Sequence, residues 1–135
     1  MTTTESYLET IAREAYQTSK DHGWWDAEDE LLEAFVDRPE LFDRVILYIV
    51  STKVALMHCE LSEAIEEIRN NPKTLKNIYY RESDGKPEGF VVELIDAIIR
   101  ILSLCGRLGL PVDRAMQEKL TFNKTRPHRH GGKAI

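Results

Sequence analysis

Hydrophobic positions recur every three or four residues along most of the chain, and no stretch alternates with the period of two and tight turns of a β-hairpin. The pattern predicts an all-α fold. A first amphipathic helix covers about 4–20 and stops at Asp21-His22-Gly23, and Asp26 is placed to cap a short acidic helix over about 27–37. Pro39 opens a third helix over about 39–69, with a bend marked by Ser51-Thr52 and a stop at Asn70-Asn71-Pro72. From there to Lys86 the chain is polar, with a turn at Asp84-Gly85, and a loop of that length inside a compact domain is often a functional lid. Pro87 suits the first turn of a fourth helix over about 87–108, closed by Gly106 and Gly109-Leu110-Pro111, and a fifth helix covers about 111–124.

The fourth helix is unusual in its polar positions. Glu93, Asp96, Arg100, Ser103 and Arg107 recur every three or four residues and form one narrow stripe on a helix that is otherwise aliphatic. An ordinary amphipathic helix turns such a stripe to water. Here the apolar arc is wider than a surface helix needs, which predicts a central helix packed on several sides, across an oligomer interface among them, with its polar stripe lining an internal cleft. The third helix carries a matching feature: Lys53, Glu60, Glu63 and Glu67 fall within roughly a quarter-turn of one another at about 100° per residue. Glu60 and Glu63 repeat the acid-x-x-acid spacing of Glu93 and Asp96.

With 135 residues, 42% hydrophobic and 30% charged, the chain is the size and composition of one globular domain, residues 1–135. The start lacks the basic-then-apolar order of a signal peptide, and the longest purely apolar run, VILYIV at 45–50, is too short to span a bilayer. A soluble cytoplasmic protein with no membrane partner is expected. Cys59 and Cys105 lie in apolar helical context without a C-x-x-C spacing and read as small core residues in a reducing compartment. Net charge is -5, yet Lys119, Lys124, Arg126, Arg129 and Lys133 give the tail +5 with no acid, leaving -10 on residues 1–118. Such polarity fits a nucleic-acid arm, but an acidic body repels a polyanion, so a small phosphate-bearing ligand held near acids through a cation is at least as reasonable, and no nucleic-acid partner is expected.

Four carboxylates on two neighbouring helices repel one another in a partly dry cleft unless a cation holds them ionised. Oxygen-only ligands select hard ions, Mg²⁺ or Mn²⁺, over zinc. A di-iron bundle normally needs Glu-x-x-His pairs, and the sequence contains none.

The paired arrangement, ELSEAIEE, then a spacer, then KPEGFVVELIDAIIRIL, resembles the MazG-like members of the all-α nucleoside triphosphate pyrophosphohydrolases. Their hallmark, Glu-x-x-Glu followed by Glu-x-x-Asp, reads here as Glu60-x-x-Glu63 and Glu93-x-x-Asp96. Lys-Pro-Glu-Gly at 86–89 and the segment from Lys119 to Lys133 also look like segments of that family, so the likeness extends over roughly residues 45–133. Two departures stand out: residues 64–92 form a spacer on the long side, and many members carry a further acid where Cys59 stands.

The resemblance implies a four-helix-bundle-like core in a homodimer or homotetramer, with a site near subunit contacts. It also implies Mg²⁺-dependent hydrolysis of a nucleoside triphosphate between the α and β phosphorus atoms. Metal held by Glu60, Glu63, Glu93 and Asp96 suits that chemistry by neutralising phosphate charge and lowering the pKa of an attacking water, with Glu60 or Glu63 as general base. Lys119 and Asn123 share a face of the fifth helix at i, i+4 and fit a phosphate; Arg126 adds a bidentate grip and Lys53 a further point charge. Trp24 and Trp25 read either as a core plug or as a stacking wall for the base, a purpose Tyr79 and Tyr80 could also serve. His128 and His130, beside Gly131-Gly132 in the basic tail at about 125–135, read as flexible polar linker, and Gly132-Lys133 fails as a phosphate-binding loop because no helix follows. Two other readings stand beside this one: a non-catalytic helical dimerisation module, and the same fold acting on a phosphoribosyl-nucleotide.

Overall fold

The computed structural model describes residues 6–73 and 75–127. It is mostly helical, with α1 at Tyr7–Asp21, α2 at Asp26–Ala34, α3 at Pro39–Asn70, α4 at Phe90–Leu108 and α5 at Val112–Lys124. His128, His130 and Lys133 lie outside the described residues. Helix α1 starts where Ser6 accepts the amide of Glu9 at 3.3 Å, satisfying one of the first-turn donors that have no partner within the helix.

Several boundaries differ from the sequence expectation for physical reasons. Asp26 is the first residue of α2 and makes no side-chain cap; with Glu28 and Asp29 it places three acids in the first turn, where the helix dipole favours them. α2 also stops at Ala34, short of the expected 37. α3 is continuous through Ser51-Thr52, where Ser51 Oγ donates back to the Leu47 carbonyl at 2.8 Å, the kind of bond that accompanies a bend in a helix. Pro87 does not open α4. It lies in a short antiparallel strand, Pro87–Glu88 (β2), paired with Tyr79–Tyr80 (β1) in the register Tyr79↔Glu88 and Tyr80↔Pro87.

Between β2 and α4 stands Gly89 at φ 122, a conformation that L side chains rarely adopt, and a Cβ there would lie 2.7 Å from the Asn77 carbonyl oxygen. The hairpin is thereby held against the start of α4, one turn before Glu93. Tyr79 donates its hydroxyl to both oxygens of Glu67 at 3.0 Å, tying the hairpin to the end of α3. Arg81 holds the turn by contacts to Glu88 at 2.7 Å and Asp84 at 3.3 Å.

Helix α4 is central, packed against α1 on one side and α3 on the other, while α2 lies on α3 and α5 leans on α1. The α1–α4 approach is close enough that a Cβ on Gly106 would run into the backbone carbonyl of Ala12. Buried apolar residues are few and mostly small, namely Ala12, Ala64, Ala97 and Leu104, with Trp25 as the large plug. Large aliphatics lie outside: Ile95, Ile98, Ile99 and Ile101 of α4 and Leu47, Val54, Leu61 and Ile65 of α3 are all exposed. Neither cysteine is a core residue, since Cys59 is exposed on the outer side of α3 and Cys105 is only partly covered.

The polar stripe of α4 faces inward. Its second half is structural: Ser103 Oγ meets Ser19 Oγ of α1 at 3.1 Å, and Arg107 donates to the Tyr16 hydroxyl at 2.6 Å and to Asp29 of α2. Glu93 lies buried toward α3, and Asp96 and Arg100, with Ser103, border a cavity.

Candidate metal and phosphate site

Helix periodicity carries Glu93, Asp96 and Arg100 onto the α4 face that meets α3, and Glu60 and Glu63 come from the opposing face of α3. Glu60 and Glu93 are buried, 6% and 5% exposed, and Asp96 is half-buried. One carboxylate oxygen from each of these three lies within 4.8 Å of the others. Glu63 lines the same cavity but stands outside this close group.

Electrostatics alone opposes such a cluster. Burial, then the charges of Glu63, Asp96 and Glu60, push the Glu93 carboxyl above its ordinary pKa, with Lys86 pulling the other way. Asp96 is raised as well, first by burial and then by Glu60, against the opposing charges of Lys86 and Arg100. Most telling is Glu93 Oε2, which is fully buried and has no hydrogen-bond partner. A buried carboxylate oxygen left unpaired costs several times what an ordinary hydrogen bond contributes, and native structures rarely tolerate it without an ion or water.

The cluster opens into a cavity of about 480 Å³, large enough for a small-molecule ligand. Its lining includes the cations Lys53, Lys86 and Arg100 and both Trp24 and Trp25. Arg100 Nε donates to Glu60 Oε1 at 2.5 Å. Lys53 is held at the rim: its ammonium pairs with Glu28 at 2.6 Å, donates to the Trp24 carbonyl at 2.9 Å and lies 4.2 Å from the centre of the Trp25 ring. The two tryptophans differ sharply in burial. Trp25 is buried, edge-on to Tyr16 at 5.8 Å and beside the Lys53 ammonium, whereas Trp24 is 65% exposed; both border the cavity.

Lys119, Asn123 and Arg126 do not line this cavity. α5 folds back against α1, so all three are exposed, and Lys119 and Arg126 lie near the Phe122 ring at 5.6 and 5.8 Å. Tyr79 is spoken for by Glu67, whose bond is the first cause of its raised pKa.

Lys86 and Arg100 stand at the site without having been assigned a role from sequence. For Arg100 the signal was present, because it continues the Glu93–Asp96 stripe at i+7 and i+4. Lys86 gave no periodic signal, since it reaches the cavity from the β1–β2 hairpin. No protein-family model, curated protein or solved structure matches the chain.

Proposed function

We propose that the chain is a divalent-cation-dependent nucleoside triphosphate pyrophosphohydrolase whose site is the cavity between α3 and α4. The observation that carries this reading is the unpartnered, buried Glu93 Oε2 beside the carboxylates of Glu60 and Asp96. Three oxygen donors with raised or buried acids suit a hard ion such as Mg²⁺, and Mn²⁺ is the natural substitute. Glu60, Glu93 and Asp96 would hold it. Bound there, such an ion supplies charge neutralisation for a polyphosphate and a lowered pKa for coordinated water.

The chain's own groups do the rest. Lys53, Lys86 and Arg100 bring positive charge to the wall along which a triphosphate would lie, and Trp24, at the cavity border and 65% exposed, is the aromatic that would stack on a base. Glu63 is exposed in the cavity and outside the close cluster, so it is the carboxylate left free to take a proton from water. Cleavage between the α and β phosphorus atoms, to a nucleoside monophosphate and pyrophosphate, is inferred from the resemblance of the acid spacing to that of the MazG-like enzymes.

The same reading includes a second copy of the chain against the outer faces of α3 and α4. Accessible surface is 10651 Å² for 15.6 kDa, against roughly 7,200 Å² from the scaling for folded monomers. The undescribed residues number 14, and even at the ~1.45 Å² per dalton of unfolded chain they add no more than about 2,200 Å². A surplus of about 1,000 Å² therefore belongs to the described residues, the exposed residues 71–73 and 75–87 among them, and is comparable to the ~800 Å² that each partner contributes to a stable interface. One helix, Pro39–Asn70, is also long and apolar enough by composition to cross a membrane, but it carries Lys53 and Glu60 into the cavity.

The test is an assay of purified protein against a panel of nucleoside triphosphates and a phosphoribosyl-nucleotide with Mg²⁺, separating products by chromatography. Monophosphate and pyrophosphate, abolished by EDTA and restored by Mg²⁺, are expected. Orthophosphate as first product rejects the scissile bond. Turnover of the phosphoribosyl-nucleotide alone moves the substrate class, and no turnover of any substrate favours the non-catalytic module.

A further inference from the structure

One cation of the cavity sits directly on a proposed metal ligand. Arg100 follows Asp96 by one helical turn, and its 2.5 Å bond from Nε to Glu60 Oε1 engages one of the three clustered acids. The guanidinium thus neutralises Glu60 while Glu93 Oε2, in the same cluster, is left without a partner. A charge-assisted pair of this kind competes with a dication for the same carboxylate. The two partners differ in freedom: the Glu60 side chain is 8% exposed and the Arg100 side chain 38% exposed, with the arginine opening onto the cavity that Lys53 and Lys86 also line.

We propose that Arg100 is an exchangeable counter-ion: divalent cation binding takes Glu60 from it, and the released guanidinium then grips the polyphosphate of the incoming substrate. The inference rests on the cation-dependent reading of the cavity. It adds an order of events that the acids alone do not supply. In the cation-free protein the guanidinium is occupied by a carboxylate, so the site has its full anion-binding capacity only once the cation is in place. Cation and polyphosphate binding are then positively coupled through one side chain, and the coupling is reciprocal. A planar fork with several donors suits this exchange better than an ammonium, because it can leave one carboxylate oxygen and meet two phosphate oxygens.

Calorimetric titration of full-length wild type, R100Q and R100K distinguishes the outcomes, first with Mn²⁺ alone and then, at saturating Mn²⁺, with an α,β-methylene nucleoside triphosphate. R100Q is expected to bind Mn²⁺ on the order of tenfold more tightly than wild type and the triphosphate on the order of tenfold more weakly. R100K, charged but without the fork, recovers part of the triphosphate affinity. Affinities that fall together indicate a merely structural arginine and overturn the proposal, as does a Mn²⁺ affinity unchanged in R100Q. A second readout needs no variant: the Arg100 Nε–H signal in ¹⁵N NMR of wild type is expected to shift with Mg²⁺ and again with the triphosphate. A signal unmoved at saturating Mg²⁺ overturns the release. Wild type that binds neither Mn²⁺ nor Mg²⁺ sinks the cation reading itself, whereas Mn²⁺ binding indifferent to Arg100 sinks only the exchange.

Discussion

The two faces of α4 reverse the usual arrangement of a helix in a small protein. Toward α1 and α3 it presents Glu93, Asp96, Arg100, Ser103 and Arg107, of which Glu93 and Ser103 are buried; away from them it presents Ile95, Ile98 and Ile101, all exposed. Burying a charge costs several kcal/mol unless it is paired, and exposing an isoleucine forgoes about 1.5–3 kcal/mol of burial. A single chain that accepts both costs on one helix is built for something other than its own stability. The inner face is paired only in part, through Arg100–Glu60 and Arg107–Asp29, and the outer face is left exposed by the described residues. The proposed function gives each face a partner of different chemistry, a cation inside and an apolar surface outside.

The largest test removes the inner charge. Glu93→Gln is expected to lower turnover on the order of a thousandfold, several kcal/mol of charge stabilisation, in a steady-state assay. Cation-free stability should move oppositely. Glu93 and Asp96 have folded-state pKa values raised above the ordinary carboxyl range, so the folded protein binds more protons than the unfolded chain across that interval. Stability of the cation-free protein then falls as pH rises from the ordinary carboxyl pKa through the raised values, and Mg²⁺ flattens the decline. The difference between wild-type and E93Q thermal melts across that range, with and without Mg²⁺, isolates Glu93 and checks the sign; a difference that moves in favour of wild type as pH rises contradicts it.

Next in size is the outer face. Ile98→Glu places a charge at the middle of the exposed α4 arc, and Leu61→Glu does the same on α3. An unpaired charge buried in an interface costs about 3–5 kcal/mol, so either variant should weaken self-association by a hundredfold or more. Sedimentation should find wild type above the 15.6 kDa of one chain and the variants at it. Wild type at that mass leaves the exposed aliphatics without the cover proposed for them.

A smaller effect is expected at the α1–α4 seam, where the inner face demands close approach. Gly106→Ala gains up to about 1 kcal/mol of helix propensity, but its methyl meets the backbone of Ala12, which cannot swing aside as a side chain would. Overpacking of this kind costs about 1–3 kcal/mol, so the variant should be net destabilised by about 1 kcal/mol in urea unfolding. A variant as stable as wild type means that the helices sit farther apart.

Helix number and type were legible from periodicity, since 3.6-residue spacing needs no tertiary information, and so was the stripe that brings Glu93 and Asp96 to one face. The ends were less so. Pro87 fits the first turn of a helix as well as it fits a strand edge, and only the contact of Gly89 with Asn77 decides between them. The cysteines misled because an apolar neighbourhood in sequence equals a buried one only when the apolar side faces the core, and on α3 it faces out. Lys86 and the partition of Trp24 from Trp25 depend on how a hairpin and a turn fold over the helices, which no local period encodes.

The basic cluster of α5 gives the smallest expected effect and the sharpest contrast with the cavity. Lys119 and Asn123 share a helical face as their spacing requires, but α5 lies on α1 and carries them away from Glu60, Glu93 and Asp96. An exposed point charge outside the site contributes about 0–1 kcal/mol to anything nearby. Lys119→Gln should therefore change the affinity for an α,β-methylene triphosphate by about twofold or less, whereas Lys86→Gln, inside the cavity, should weaken it on the order of tenfold. If the two lysines exchange these effects in a calorimetric titration, the phosphate contact comes from α5. Since one chain does not bring that helix to the acids, a second copy would have to supply it, and the loss caused by Lys119→Gln would then appear only at protein concentrations where the chain self-associates.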